Sequence, residues 1–397
     1  MNRKFLISLL IIISIATTGC WDARELDECA IVSALGIDKD ATCYIVSLQV
    51  LNPGQIAGKN KGSGSPVITY AATGSTVFEA YRKVYTECPR KLVYNHLQVL
   101  VFGEKLAREG LAPILDFITR RFEIRADFVL FVAKNTSVKE VISVLTPAEV
   151  IPAESLFNSV LLAKEFWGAT TVVTIDKLIS MLVTEGKAPV VAGVEISGNT
   201  DSSDKTDNLK KVVMPATVKI VPLGVFKKDR LVGWLNERDS KGYNYITGMG
   251  KNFLSVITLP QGGMVEMKIL STKVFLTAAE AEEQPEINIK MEIEGTINGI
   301  STDIDLLKEE NIRMIEAEEE KEIENILAGA IFTAQKQYNS DIFGFGDVIH
   351  RTNYRVWESL RDNWDEIFPS LHVNIKVKVR VTGTSLKANS ILEGIKR

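Results

Sequence analysis

The chain has 397 residues, of which 46% are hydrophobic and 24% are charged, and its formal net charge at pH 7 is −4. These are the proportions of a folded globular protein with enough apolar surface for a core. The acidic excess argues against nucleic acid as a partner, because binding to phosphates needs a cationic surface.

The first residues have the pattern of a secretory leader. Arg3 and Lys4 precede an apolar run over 5–16, and small residues follow as far as Cys20. A membrane-spanning helix needs roughly 20 apolar residues, and this run is shorter. Residues 1–19 are therefore predicted to be a signal peptide that is cleaved from the mature protein.

Cys20 is the predicted site of lipid attachment. Lipoprotein processing requires small residues before a cysteine whose thiol receives a diacylglycerol, and Thr18 and Gly19 satisfy this requirement. Thr17 departs from the pattern, because an aliphatic residue is usual at that position. The alternative is an ordinary signal peptide followed by an incidental cysteine. We expect a protein anchored by lipid to the extracytoplasmic face of the cell membrane.

Segment 20–148 mixes strand and helix patterns and is predicted to form an N-terminal α/β domain. Apolar runs at 30–37 and 44–51 flank a polar turn and predict a β-hairpin. Helices and strands then alternate along the chain. They are predicted as a helix from a cap at Ser75 to about Glu87, a strand over 92–102, a helix over 105–121, a strand over 125–133 and a helix over 138–145.

Segment 149–215 is predicted as a middle domain that contains a polar linker loop over 198–211, and segment 216–397 as a C-terminal α+β domain. The middle segment has helix patterns at 155–166 and 175–184 and a strand pattern at 190–196. Strand patterns dominate afterwards, and they cover 216–226, 231–235, 253–259, 265–276 and 287–297. In the last of these, apolar and polar residues alternate strictly, which predicts one buried and one exposed sheet face.

The longest predicted helix covers 304–338 and has apolar residues at helical spacing along one face. Its other face is acidic and carries Glu316, Glu318, Glu319, Glu320, Glu322 and Glu324. A cation site and a solvated charged face are both possible interpretations. We favour the solvated face, because calcium loops need glycine and aspartate at a set spacing that is absent here. A helix over 354–368 and a strand over 373–381 follow.

Residues suited to catalysis are few. The histidines are His96, His350 and His372, and none has the spacing of a metal-binding pair. His96 lies in an apolar run and is predicted to be a core residue rather than a base. The sequence has neither a Gly-x-Ser-x-Gly motif nor a phosphate-binding Gly-Lys-Ser/Thr loop. It therefore predicts no catalytic residue, no metal site and no cofactor.

The cysteines after Cys20 are Cys29, Cys43 and Cys88, an odd number that cannot form a complete set of disulfides. Cys29 and Cys43 could face each other across the predicted hairpin. We favour the alternative, in which they are small buried hydrophobic residues.

Several short blocks resemble the C subunits of spore germinant receptors. The N-terminal stretch 19–22, followed by 24–26 and 30–38, is similar to the beginning of that family. The other similar blocks, in the family's order, are 89–92 with 96–97, 102–104 with 107–110, 115–117 with 123–125, 231–235, 340–346 and 363–369. The resemblance covers nearly the whole chain.

The resemblance implies a lipoprotein of endospore-forming bacteria on the outer surface of the inner spore membrane. It implies an α+β fold with three domains, in which mixed and antiparallel sheets are flanked by helices. In this family the C subunit works with two integral-membrane subunits, and the complex triggers germination when nutrients bind. No catalytic residues carry over, so we expect a non-enzymatic scaffold or coupling subunit. The alternatives are a solute-binding lipoprotein that captures a nutrient directly and a hydrolase of the spore envelope.

Trp234, Phe343 and Phe345 are the candidate residues for a partner interface. Trp234 lies in the block 231–235, and the two phenylalanines are separated by glycine in the block 340–346. In the structural interpretation, which we favour, both phenylalanines fill the core beneath a glycine-rich turn. In the functional interpretation, part of this segment faces outward and docks a partner.

Overall fold

The computed structural model describes residues 5, 28–56, 64–120, 125–199, 208, 212–280 and 285–384. These residues form two sheets flanked by helices, which confirms the predicted mixed α+β class. Within the described part of the chain, no helix is long and apolar enough to cross a membrane.

The larger sheet has nine strands among the described residues. They are β1 (Cys29–Lys39), β2 (Tyr44–Leu51), β3 (Val67–Gly74), β4 (Lys91–Val93), β5 (Val99–Gly103), β6 (Val129–Ala133), β7 (Val190–Gly198), β8 (Ala216–Lys227) and β9 (Arg230–Trp234). The order is β3-β2-β1-β5-β6-β7-β8-β9, and β4 pairs with the start of β1. The central strands β1, β5, β6 and β7 are parallel, and the outer pairs are antiparallel.

Helices cover both faces of this sheet. They are α1 (Pro53–Ile56), α2 (Val77–Lys83), α3 (Glu104–Glu109), α4 (Ala112–Thr119), α5 (Val138–Ser143), α6 (Pro152–Leu162) and α7 (Ile175–Val183). Leu100 and Phe102 of β5 belong to the core under α2, α3, α4 and α7. Val99 and Val101 belong to the opposite core, under α5 and α6. Parallel strands are buried in this way because crossover helices return over both faces.

Two predicted elements of the first segment are each divided in the structure. The predicted strand over 92–102 is β4 and β5 with a turn between them, and His96 lies exposed in that turn. The prediction of a core histidine was therefore wrong. The predicted helix over 105–121 is divided into α3 and α4 at Gly110, whose φ of +131° favours glycine. Thr76, rather than Ser75, caps α2 by accepting from the Glu79 N–H.

The three cysteines with described structure are free thiols. Cys29 begins β1, whereas Cys43 precedes Tyr44, which pairs with Lys39 at the far end of the same strand. An 11-residue strand is about 36 Å long, so the hairpin keeps Cys29 and Cys43 apart and excludes the possible disulfide. Cys88 is buried, whereas the other two are only partly buried.

The smaller sheet contains β10 (Leu254–Thr258), β11 (Met264–Glu280), β12 (Pro285–Ile300) and β13 (His372–Thr384), in that order. The strict alternation predicted for β12 is confirmed, because Ile287, Ile289, Met291 and Ile293 are all buried against the helices. Between the sheets lies α8 (Glu237–Ile246), a helix that the sequence pattern does not predict because its residues are mostly polar. Asn236 caps it by accepting from the Asp239 N–H.

The long helix, α9 (Glu309–Phe332), continues as a π-helical turn over Thr333–Tyr338 and lies along the free edge of β13. Three glutamates of its acidic face accept hydrogen bonds from backbone N–H groups of that edge. The pairs are Glu316 with Val381 at 2.8 Å, Glu320 with Val379 at 3.0 Å and Glu324 with Val377 at 3.2 Å. Four helical residues rise about 6.0 Å and two strand residues about 6.6 Å, so the two spacings match.

This arrangement corrects the prediction of a uniformly solvated acidic face. Glu316, Glu320 and Glu324 accept hydrogen bonds from the backbone N–H groups of an open sheet edge. Glu319, on the same helix, is fully buried. An edge strand normally exposes unpaired donors that can pair with other chains. In this protein α9 covers part of that edge with carboxylates.

The predicted helix over 354–368 is also divided. A 3₁₀ turn over Arg361–Asn363 separates α11 (Tyr354–Leu360) from α12 (Trp364–Ile367), and α10 (Phe345–Thr352) precedes them. The predicted domain division at residues 148 and 215 stays a prediction. The larger sheet joins strands from all three predicted segments by hydrogen bonds.

Candidate functional site

The predicted lipid site, Cys20, lies outside the described residues. The three interface candidates, Trp234, Phe343 and Phe345, all lie where the larger sheet meets the C-terminal helices. We call this region the junction; it comprises residues 185–189, 226–234 and 338–365.

Trp234 ends β9 and is partly buried. Its Nε1 donates a hydrogen bond to Oε1 of Glu104 at 3.1 Å, and Lys134 Nζ lies 5.2 Å from the ring centroid. Burial opposes ionisation of Glu104, but hydrogen bonds from Trp234 and Arg108 dominate and lower the pKa of this carboxyl. The indole also covers Gly193, where a Cβ would clash with it at 2.5 Å. Trp234 is therefore packed within the protein, with only part of its ring open to solvent.

Phe343 and Phe345 are buried, with 4% and 0% of their surface exposed. Their rings stack with centroids 5.2 Å apart, and Phe345 also faces Phe368 in the core of the smaller sheet. Neither ring can contact a partner in this conformation, so their burial favours the structural interpretation. The surface that this segment offers is its backbone and the residues just before it.

Asp341 organises the turn that carries these rings. Its carboxylate accepts hydrogen bonds from the N–H groups of Gly344, Phe345 and Gly346 at 2.9, 3.0 and 2.8 Å. Gly344 adopts φ +76°, a backbone conformation that would be strained for a residue with a side chain. Burial raises the pKa of Asp341 to about 6, although the three N–H donors act in the opposite direction.

The same turn joins the two parts of the molecule. The N–H of Ala188 donates to the Asp341 carbonyl at 2.7 Å, and Ser340 Oγ donates to the Phe226 carbonyl at 2.6 Å. A Cβ on Gly186 would lie 2.5 Å from the Cα of Gly346. Two glycines are thus needed because the two backbones touch at this point.

A groove of about 810 Å³ opens beside this contact. It is lined by Ala112, Leu182, Glu185, Gly186, Lys187, Ala188, Pro189, Lys227, Lys228, Asp229, Asn339, Ser340, Asp341, Trp357, Arg361, Asp362, Trp364 and Asp365. Both signs of charge are present, and Lys227 pairs with Asp365 at 3.3 Å. The Asn339 Oδ1 is a buried acceptor without a hydrogen-bond partner in the described structure. The groove can therefore accept a polar ligand or a polar partner segment.

No group of three metal-ligating side chains occurs among the described residues. His350 packs beside Tyr354 and Trp357, whereas His372 is exposed and bonds Asn374. The histidines are thus dispersed, and the geometry brings none of them into the groove.

Two family models match the chain in succession. The model described as "Spore germination protein N-terminal domain" matches residues 22–196, and that described as "Spore germination B3/ GerAC like, C-terminal" matches residues 223–385. Spore germination protein KC of Bacillus subtilis is 29% identical over 98% of each chain. Spore germination protein B3 of the same species is 21% identical over 94% of this chain and 96% of the relative.

A solved structure described as "Crystal Structure of the GerBC protein" aligns with a TM-score of 0.58 and 17% identity, over 88% of this chain and 96% of the other. The two helix-flanked sheets thus define an α+β protein with the fold of that structure. The chain belongs to the GerAC-like family of spore germination protein C subunits.

Proposed function

We propose that this protein is the lipid-anchored C subunit of a spore nutrient germinant receptor. It would act without catalysis, as a scaffold that couples two integral-membrane subunits to the germination response. The observation that carries this proposal is the pair of consecutive family models, which together span most of the chain. The proposed location is the outer surface of the inner spore membrane.

The anchor is supported by the sequence before the first strand. Cys20 follows a leader-like segment, and β1 starts at Cys29, so only a short connection separates the proposed lipid from the fold. A lipid tether raises the effective concentration of the subunit near membrane partners without new contacts.

The test of the anchor is metabolic labelling with a fatty acid. Cys20→Ala should abolish label incorporation, reduce retention at the membrane and weaken the nutrient response. Cys29→Ala is the matched control and should keep the label, because Cys29 is the first residue of β1. Equal labelling of Cys20→Ala and wild type would show that the anchor assignment is wrong.

The test of the partners is crosslinking in spore membranes followed by purification. We expect two polytopic proteins to copurify with the wild-type subunit. Recovery of the subunit alone, with the lipid label intact, would contradict the receptor-subunit proposal while leaving the anchor in place.

A second candidate function, direct capture of a nutrient, is favoured by one observation, the charged groove at the junction. Ligand sites often lie between structural units, and Arg361 could pair with a carboxylate. Equilibrium dialysis with single amino acids would test this function. Binding that is lost in Arg361→Gln would favour it, and the absence of binding to the wild-type chain would exclude it for those ligands.

A further inference from the structure

Glu319 occupies a core position of α9. Ile315, Glu319 and Ile323 are one helical turn apart, and each has 0% of its surface exposed. The two isoleucines belong to apolar clusters of the smaller sheet. A carboxyl at such a position costs stability unless it is paired or hydrogen-bonded. This glutamate is therefore placed where an apolar residue would pack at lower cost.

The surroundings of Glu319 favour its neutral form. Neither carboxyl oxygen has a hydrogen bond of normal geometry within the described structure. The groups that face it are the Ser255 hydroxyl of β10, the Tyr245 phenol of α8 and the Glu322 carboxylate of α9. Arg238 of α8 pairs with Glu322 at 2.7 Å, and no lysine or arginine among the described residues pairs with Glu319 itself. Burial, which Ser255 opposes and Glu322 reinforces, raises the pKa of Glu319 to about 7.

The N-terminal half of α9 is packed less firmly than the C-terminal half. Over residues 309–322 the buried side chains are those of Ile315 and Glu319, whereas residues 323–332 bury five apolar side chains. The N-terminal half is otherwise held by the bonds that Glu316 and Glu320 accept from the edge of β13. Local opening requires the least free energy where few apolar groups are buried.

We propose that Glu319 is a proton-dependent switch that holds the N-terminal half of α9 against the edge of β13. With its proton bound, the carboxyl is neutral and stays in the core, so Glu316 and Glu320 cover the edge. When the proton passes to solvent, a buried charge without a partner remains. The charge regains water when this half of α9 moves away from the sheet. The C-terminal half stays packed, and Glu324 keeps its bond to the Val377 N–H.

The direction of the pH dependence follows from the two states. An exposed glutamate has a pKa of about 4.3, so the open form loses its proton at lower pH than the closed form. Below about pH 4 both forms hold the proton, and the closed form has its full advantage. Opening then becomes more favourable by about tenfold for each pH unit between about pH 5 and pH 7, and levels off above that range.

The test is amide hydrogen exchange of the full-length chain, resolved by residue, at pH 5.5 and pH 7.5. The wild-type rate divided by the Glu319→Gln rate at the same pH removes the intrinsic effect of pH on exchange. We expect this ratio to rise about tenfold or more for the Val379 and Val381 amides and to stay constant for Val377. A constant ratio at Val379 and Val381 would overturn the proposal. An equal rise at Leu100, in the core of the larger sheet, would overturn it in favour of global unfolding.

Two further variants identify the titrating group. Glu319→Leu places an apolar side chain between Ile315 and Ile323 and should abolish the rise, as Gln does. Glu310→Gln, at an exposed position of the same helix, should keep it. A rise that persists in Glu319→Leu, or is lost in Glu310→Gln, would assign the titration to another group and overturn the proposal. Comparison of Val379 with Val377 within the wild-type chain gives the same test without any variant.

Discussion

The indole Nε1 of Trp357 donates a hydrogen bond to Oε2 of Glu185 at 2.8 Å, across 172 residues of sequence. Trp357 is buried in the core of the smaller sheet, and Glu185 follows α7 of the larger one. Beside this bond, Gly186 and Gly346 are in direct contact with the ring of Trp357. The two sheets are therefore joined by a specific polar contact as well as by apolar packing.

Trp357→Phe should weaken this joint, because it keeps most of the ring and removes the donor. We expect the free energy of unfolding to fall by about 1.5–3 kcal/mol, the usual contribution of a hydrogen bond to a charged group. Urea unfolding measures this change. Glu185→Gln keeps an acceptor and should cost less. A Trp357→Phe protein as stable as wild type would show that the bond contributes nothing.

Phe345→Ala should destabilise the protein by about 3–5 kcal/mol, because it empties a fully buried ring site. The melting temperature and the spore level of the protein should fall together. Phe332→Ala is the matched control, since Phe332 is 57% exposed, and it should change neither. Normal stability of Phe345→Ala with lost association to the membrane subunits would instead mark the turn as a docking site.

Glu320→Ala should open the edge of β13. The substitution removes the acceptor for the Val379 N–H and the ion-pair partner of Lys378 at 3.1 Å. We expect a loss of about 1–3 kcal/mol in the free energy of unfolding and concentration-dependent association through the freed edge. Urea unfolding and size-exclusion chromatography measure these effects.

Two controls sharpen the test of the β13 edge. Glu310 lies at an exposed position of the same helix, so Glu310→Ala should neither lower the stability nor cause association. Glu320→Gln retains an acceptor and should give an intermediate stability. Indistinguishable behaviour of Glu320→Ala and Glu310→Ala would mean that the carboxylates do not protect this edge.

Glu319 should make stability depend on pH. Burial raises its pKa to about 7, with Glu322 adding to the effect and the Ser255 hydroxyl opposing it. An unfolded glutamate has a pKa of about 4.3, so the folded state binds the proton more tightly. The free energy of unfolding should therefore fall as pH rises from about 4 to about 7.

Glu319→Gln removes this titration and should exceed wild type in stability at pH 8 by about 2–4 kcal/mol. Urea unfolding at pH 5 and pH 8 measures the difference. Glu310→Gln is the exposed control and should retain the wild-type slope. Asp341 adds its own decline between about pH 4 and 6, because burial also raises its pKa, so the variant is compared with wild type at each pH.

The sequence by itself determined the class of this protein and most of its strands. Alternation in β12 specified which residues face the core, because side chains of a strand point alternately to its two faces. The block 340–346 indicated a glycine-rich turn, because glycine readily adopts the backbone angles that tight turns require. The leader and Cys20 carried the prediction of an anchor, because processing depends on local sequence alone.

Only the tertiary structure decided how distant residues are used. From the sequence, the glutamates of α9 were predicted to form a solvated face. In the folded protein β13 places its backbone N–H groups beside them, and the burial of Glu319 depends on the same packing. α8 was missed because its residues are mostly polar, and only the packing of neighbouring elements buries them. The exposure of Leu162 and Phe166 likewise depends on what the fold leaves uncovered, since local pattern gives the type of an element but not which of its faces finds a partner.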